Sequence, residues 1–332
     1  MKAVVMTSGG GPDVLQMQDT PEPKIQGTHE VLVRLRAAGV NPLDTKLRNK
    51  PTSYPLRAPV VLGCDGAGTV EAVGSSVQDF KVGDEVYFCQ CGFGNRGGTY
   101  AQYTVVEERL LAKKPHSLHF AEAAAIPLVA ITAWEALYDR ARLEAGQTAL
   151  IHGGAGGVGH IAIQLAKQLG AQVATTVSSE EKAAFAQGYG ADRVIRYRQE
   201  DFVAASLAWT NRQGVDCALD TVGADTFQQT FPVVRCYGDL VTLLQPSASV
   251  DWTLARQRNL RIGFELMLSP LLLDLEQGQL HQGNILRECT QYIDRGELNI
   301  HVDATLPLAQ ATDAHRHLES GQVKGKVVLA ID

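Results

Sequence analysis

The chain has 332 residues, 45% hydrophobic and 20% charged, which is enough length for two domains and enough apolar content to bury full cores. Its formal net charge is −6, with acids and bases interspersed, so no basic excess supports a nucleic-acid surface. No apolar run reaches membrane-spanning length, the opening Met1-Lys2-Ala3-Val4-Val5-Met6 is too short for a signal core, and six cysteines in so long a chain make no disulfide framework; a reduced, cytoplasmic protein is expected.

The first third reads as β structure. Within residues 29–40, Val31, Val33 and Leu35 fall on one face and Arg34 and Arg36 on the other. Residues 69–74 and 84–88 form further short strands, and Gly63, Gly66, Gly68, Gly74 and Gly83 punctuate them, which predicts a small barrel. After about residue 120 the pattern changes. Residues 121–137 are alanine-rich and helical, with Pro127 starting or breaking the helix. An apolar strand at 148–152 leads into glycines and then a helix with Ile161, Leu165 and Leu169 on one face, ended by Gly170. Strands at 172–177, 193–197, 215–220 and 239–244 follow, with a helix at 180–187 between the first two. This alternation implies a parallel sheet wound on both faces. The segment 260–266 reads as an edge strand of that sheet, the tail holds a helix at 284–295, and a last strand at 326–330 returns to the N-terminal domain.

The turn Gly154-Ala155-Gly156-Gly157-Val158-Gly159 follows the 148–152 strand and opens a helix, the context that a dinucleotide fingerprint requires. One glycine makes the turn, another lets a pyrophosphate approach, and Gly159 lets helix and strand pack closely. The helix N-terminus offers unpaired N–H groups and the positive end of its dipole. At the end of the next strand, where an NAD site carries an acid, stand Ser178 and Ser179, with Lys182 close behind and Tyr197 at the end of the following strand. Hydroxyls and a cation suit a 2′-phosphate, so NADP(H) is the expected cofactor. Thr221 and Val222 end one later strand and Leu243 and Leu244 the next, at the crevice where ligands bind in open parallel sheets.

Residues 154–170 with Ile163-Gln164-Leu165-Ala166-Lys167, together with Gly39-Val40-Asn41-Pro42-Leu43-Asp44, Gly63-Cys64-Asp65-Gly66-Ala67-Gly68, Gly83-Asp84-Glu85-Val86 and Gly325-Lys326-Val327-Val328-Leu329, resemble the zinc-free quinone oxidoreductase branch of the medium-chain dehydrogenases/reductases. The resemblance runs over nearly the whole chain. It implies an α/β protein in which a central Rossmann domain (127–264) is embedded in a GroES-like β-barrel catalytic domain made from 1–126 and 265–332. Zinc members of the superfamily are similar but carry a cysteine where Asn41 stands and Gly-His-Glu where Gly63-Cys64-Asp65 stands; Asn41 and a single Cys64 make a poor ligand set, and Cys89-Gln90-Cys91 lacks a second pair, so no metal is expected. His315 and His317 are expected to be solvated.

The resemblance places Asn41, as an amide donor, near the nicotinamide, with Asp44 and Tyr54 as the other catalytic candidates; Asp44 reads equally as a helix cap. Thr132 is expected to face the nicotinamide, and Lys324 or Lys326 to reach the cofactor phosphates. The expected activity is NADPH-dependent quinone reduction. Reduction of activated alkenes such as enones and 2-alkenals, and a non-catalytic NADPH-binding role, are the alternatives. No nucleic-acid or membrane partner is expected, and the 260–266 edge suggests a homodimer.

Overall fold

The computed structural model describes residues 1–51, 56, 58–93 and 97–332. The chain forms two compact units, Met1–Leu128 with Leu268–Asp332, and Val129–Met267.

The first unit begins with strands β1 (Lys2–Met6), β2 (Leu15–Asp19) and β3 (Glu30–Val40), helix α1 (Pro42–Asn49), and strands β4 (Val60–Val61), β5 (Asp65–Val73), β6 (Glu85–Cys89), β7 (Tyr103–Glu107) and β8 (Leu111–Lys113). Helix α2 (Phe120–Ala124) follows, and α3 (Pro127–Trp134) opens on Pro127, where a missing N–H costs nothing. The alternation read in β3 holds: Val31, Val33 and Leu35 are buried. β3 is long enough to serve several partners. One edge pairs antiparallel with β5, while the other pairs with β7 through residues 30–34 and with the last strand of the chain through residues 37–40. At that crossing there is room only for glycine. A Cβ on Gly39 would strike the Ala124 carbonyl oxygen and come within 2.9 Å of Asp65 Cβ.

The second unit carries β9 (Thr148–Ile151), α4 (Gly157–Gln168), β10 (Gln172–Val177), α5 (Glu180–Gly188), β11 (Arg193–Arg196), α6 (Phe202–Trp209), β12 (Val215–Asp220), α7 (Asp225–Gln229), β13 (Val234–Thr242), α8 (Thr253–Gln257) and β14 (Arg261–Phe264). All six strands run parallel in the order β11-β10-β9-β12-β13-β14, so the winding reverses between β9 and β12 and β14 is an edge. This is the doubly wound sheet expected from the alternation. Leu150, Ala174, Ala218 and Leu240 from the inner strands are fully buried, with Phe227 and Phe231 packed among them.

The chain then returns to the first unit as α9 (Ser269–Leu272), α10 (Glu276–Asp294), β15 (Val302–Pro307), α11 (Ala311–Glu319) and β16 (Lys326–Ala330). β16 pairs with β3, as expected of a returning strand.

Among the boundaries that differ from the sequence reading, two have a reason in the packing and pairing. α10 starts at Glu276 rather than near 284, because its glycines and glutamines have tertiary work. Gln279 accepts from Arg109 Nε at 2.8 Å and donates to the Pro270 carbonyl at 2.9 Å, and a Cβ on Gly283 would strike the Arg109 carbonyl. β13 starts at Val234 rather than 239, since it bulges between its pairings with Val215 and Cys217 and so breaks the period that a sequence reading follows.

The Gly39 crossing gives a direct test. Gly39→Ala should cost about 1–3 kcal/mol through overpacking. It would be read as a lower urea midpoint at unchanged slope.

Candidate active site

In the second unit the functional edge is built by strand ends. β9, β10, β12 and β13 all finish on one side of the sheet, and of the sequence-predicted cofactor residues the turn 154–159, Ser178, Ser179, Thr221, Val222, Leu243 and Leu244 follow these strand ends, whereas Thr132 lies in α3 and Lys324 in the first unit. The glycine turn is fastened to its neighbours: Gly154 N–H donates to the Thr176 carbonyl at 3.1 Å, Gly153 N–H to Thr176 Oγ1 at 3.2 Å, and Thr221 Oγ1 to the His152 carbonyl at 2.7 Å. The glycines at 154 and 159 are obligatory, since a Cβ at the first would collide with the Thr175 hydroxyl and at the second with the Gly153 carbonyl. Ala155 is buried, whereas Gly156, Gly157 and Val158 are half-buried. α4 starts at this turn with Gly156 as its cap, no side chain bonded to its first N–H groups and no acid in its first turn. A dinucleotide's phosphates fit such an uncapped start.

His152, just before the turn, was not singled out from sequence, although a histidine closing an apolar strand is the signal for it. Its ring is buried and every proton on it follows from the partners. Thr230 Oγ1 donates to the Thr226 carbonyl, so it accepts from His152 Nε2–H at 3.0 Å. With its proton on Nε2 the neutral ring leaves Nδ1 as an acceptor, so Thr176 Oγ1, which accepts from Gly153 N–H, donates to Nδ1 at 3.1 Å. Burial pushes this imidazole down to about 4, against the opposing pull of Asp220, so it is a neutral pin between β9, β10 and α7.

At the end of β10, Ser178 and Ser179 are half-buried. Ser179 caps α5, its Oγ accepting from Lys182 N–H at 3.3 Å. Tyr197 is 50% exposed, and its N–H donates to the Val177 carbonyl at 3.2 Å. Arg196, also missed from sequence, pairs in register with Val177 and forms an ion pair with Glu180. Thr221 and Val222 follow Asp220, whose buried carboxyl accepts the Val222 and Gly223 N–H groups and the Thr242 hydroxyl. Leu243 N–H is used on the Asp220 carbonyl and Leu244 N–H on Thr242 Oγ1, so these backbone donors serve the unit itself. Thr132 lies buried in α3 of this unit.

In the first unit, β3, β5 and β16 bring together Asn41, Asp65 and Lys326, all buried. Lys326 Nζ donates to Asp65 Oδ2 at 3.1 Å and to Asn41 Oδ1. Asn41 Nδ2 donates to Asp65 Oδ2 at 2.9 Å, and Leu128 N–H donates to Asp65 Oδ1 at 2.7 Å. The reading of Lys326 as a phosphate-binding or solvated residue is thereby overturned: it is 2% exposed and its ammonium is spent on Asp65 and Asn41. Lys324 is half-buried, its N–H donating to Asp303 Oδ1 at 3.2 Å. Asn41 is the N-cap of α1 and Asp44 its third residue; Asn41 N–H donates to Asp44 Oδ2 at 2.8 Å, one half of a capping box, while Asp44 N–H donates to the Asn41 carbonyl at 2.9 Å and the Asn41 side chain bonds Asp65 and Lys326. Asp44 thus stands in the first turn of the helix rather than at the cap. Tyr54 lies outside the described residues.

His315 is a second correction. It is fully buried rather than solvated, with Arg48 at 3.1 Å from Nδ1 and Tyr100 Oη at 3.1 Å from Nε2. The alternation of polar residues along α11 hid it. His317 is half-exposed and pairs with Asp303 at 2.8 Å. The cysteines need correction too. Cys64 and Cys91 are joined in a disulfide, while Cys89 is free and buried.

Two families match the chain: "Alcohol dehydrogenase GroES-like domain" over residues 27–116 and "Zinc-binding dehydrogenase" over residues 189–329. Over 332 residues, 99% of both chains, the sequence is 35% identical to a quinone oxidoreductase of Pseudomonas aeruginosa. It is 34% identical to an NADPH-dependent alkenal/one oxidoreductase of Arabidopsis thaliana, covering 99% of this chain and 79% of that one. The crystal structure of Escherichia coli quinone oxidoreductase complexed with NADPH is similar at a TM-score of 0.88 and 29% identity, with all of both chains covered. The chain belongs to the quinone oxidoreductase branch of the medium-chain dehydrogenase/reductase superfamily. It is an oxidoreductase of that superfamily, with the GroES-like segment in its first unit.

The zinc in one family description was tested against the residues here. Asn41 Oδ1 is taken by an ammonium and Cys64 Sγ by Cys91, and among the described residues no three His, Cys, Asp or Glu side chains are grouped to hold a metal ion. The donor set does not fit zinc.

Lys326→Met should destabilise the fold by about 3–5 kcal/mol, because it strands a buried carboxylate. Adding Asp65→Asn should recover part of that loss, and chemical denaturation of the three variants gives the coupling.

Proposed function

We propose that this protein is an NADPH-dependent quinone reductase that works without zinc. The observation that carries the reading is the Lys326–Asp65–Asn41 cluster: an ammonium and an amide stand where a metal's ligands would be needed. A site without a Lewis acid does not activate a simple alcohol, so its substrate must already be electrophilic. Quinones meet that condition. Activated alkenes meet it too, and the likeness to the Arabidopsis enzyme, named for alkenals and enones, keeps that as the second reading.

NADPH, when bound, supplies a hydride from C4 of its nicotinamide. The glycine turn 154–159 and the uncapped start of α4 hold its pyrophosphate, and Thr132, Thr221, Val222, Leu243 and Leu244 serve the nicotinamide side. Ser178, Ser179, Lys182 and Tyr197, now with Arg196, hold the 2′-phosphate at the end of β10. Lys324 assists at the phosphates. Asn41 has one amide hydrogen beyond the one given to Asp65, and this orients the acceptor's oxygen. Asp44 supports Asn41 from within α1, and Tyr54 is kept as the further candidate for polarising the acceptor's carbonyl. No general acid needs to be built in, because quinone reduction can draw its proton from water. The exposed Phe264 and Leu266 at edge strand β14 support a homodimer, since such an edge needs cover. Among the described residues no helix is long and apolar enough to cross a membrane.

The test is a panel of ortho-quinones, para-quinones and enones followed by NADPH oxidation, run with the wild type and Lys182→Ala. Quinones should be the faster acceptors, and the variant should lose about tenfold or more in NADPH affinity, the loss of one charge-assisted phosphate contact, while NADH binding changes little. Faster enone turnover would select the second reading. Binding without turnover on any acceptor would leave only a cofactor-binding role.

A further inference from the structure

One cluster in the first unit buries more acid than base among the described residues. Asp44, Asp65 and Lys326 are all sealed from solvent, so two carboxyl groups face one ammonium. The neighbouring Arg48 does not redress this, because Glu319 pairs with it at 2.6 Å. A water-excluded cluster with a net negative charge is costly, and the cheapest remedy is a retained proton.

The hydrogen bonds say where that proton sits. Asp65 accepts from three donors, the Lys326 ammonium, the Asn41 amide and the Leu128 N–H, which is the environment of a carboxylate. Asp44 accepts the Asn41 N–H on Oδ2, and among the described residues its Oδ1 has no partner at hydrogen-bonding distance although fully buried; the Tyr100 hydroxyl is a further donor that acts on this carboxyl. An orphaned oxygen is tolerable on a neutral acid and expensive on an anion.

The groups around Asp44 point the same way. Arg48 can only donate, so His315 Nδ1 accepts from it and the ring's proton is on Nε2. Nε2–H donates to Tyr100 Oη, leaving the phenol's own hydrogen free to turn elsewhere, and the Asp44 carboxyl is the acid on which that phenol acts. The ring stays neutral, since burial and the Arg48 charge push His315 down to about 3. The remaining titratable neighbour, Cys89 on β6, is held as a thiol well above its usual range by burial and by Asp65 and Asp44.

We propose that the resting protein carries one proton on Asp44, shared with no other group, and that Asp44 acts as a positioning residue whose neutrality keeps the charge behind Asn41 balanced. Loss of this proton places an uncompensated negative charge behind the Asn41 amide. That charge opposes the negative charge that develops on an acceptor oxygen as it takes up a hydride. The last step rests on the proposed reductase reading; the proton itself does not. Burial pushes Asp44 up to about 7, with the Asn41 N–H opposing and Asp65 adding to the rise, so the change falls in the neutral range.

The proton is read directly by infrared difference spectroscopy of the full chain titrated from about pH 5 to about pH 9, a window in which an ordinary carboxyl is already ionised. A neutral-carboxyl C=O band should disappear near neutral pH in the wild type and be lost in Asp44→Asn, over any band common to both from Glu265, whose carboxyl burial also raises. Tyr100→Phe removes a hydroxyl that favours the anion, so it should move the band's midpoint upward by about one pH unit. The folded chain holds a proton that the unfolded chain has released. Unfolding free energy should therefore fall as pH rises from about 4 to about 7, and Asp44→Asn should remove this slope. His152 and His315, depressed by burial, tilt stability the opposite way on the acid side, so the wild-type-minus-variant difference is the quantity to plot. With any acceptor that the protein reduces, turnover should fall about tenfold per pH unit above the same midpoint. The absence of a titrating band in the wild-type-minus-Asp44→Asn difference overturns the proposal. A titrating band with pH-independent turnover keeps the proton and removes its role behind Asn41. A titrating band with no turnover on any acceptor keeps the proton and removes the reductase reading instead.

Discussion

A buried ammonium is the constraint around which the first unit is arranged. Lys326 stands at the start of the returning strand β16, Asp65 at the start of β5, and Asn41 at the end of β3, so the ion pair forms only when the last strand of the chain lies against β3. The same crossing requires Gly39 to carry no side chain and draws the Leu128 N–H onto Asp65. A buried pair of this kind contributes little net stability compared with apolar residues of the same volume. We propose that its value is chemical: it would place a fixed positive charge and a fixed amide in a dry site, where preorganised dipoles act most strongly.

The second unit answers a different need. In the proposed cofactor site a dinucleotide would have to reach the backbone, and the turn after β9 would permit this by giving up side chains at Gly154 and Gly159 and by leaving the start of α4 uncapped. A loop so depleted of side chains would wander if nothing held it. His152, Thr176, Thr221 and Thr230 hold it from beneath, through hydrogen bonds whose protons are all assigned and through an imidazole kept neutral by burial.

Local chemistry was legible in the sequence and long-range chemistry was not. The doubly wound sheet, the glycine turn and the hydroxyl-rich end of β10 are each written within a few consecutive residues, so period and turn chemistry expose them. Lys326 and Asp65 are 261 positions apart, and nothing in Lys326-Val327-Val328-Leu329-Ala330 says that its lysine turns inward. Arg48 and His315 are 267 positions apart, and His315 shares a polar helix with His317, so its burial was misread. Asp65 did leave a trace: an acid within the small-residue run 63–68 has few ways to be buried except beside a cation. The Cys64–Cys91 link was missed for the same reason of distance along the chain.

In the proposed site, buried charge and hydrogen bonds orient an acceptor that is already electrophilic, with no metal to activate it. The most direct test measures quinone reduction by NADPH, together with zinc content in the same sample, after exhaustive treatment with a strong zinc chelator. Undiminished turnover at far below one zinc per chain is expected. Turnover that vanishes with the zinc and returns when zinc is restored would contradict the zinc-free reading.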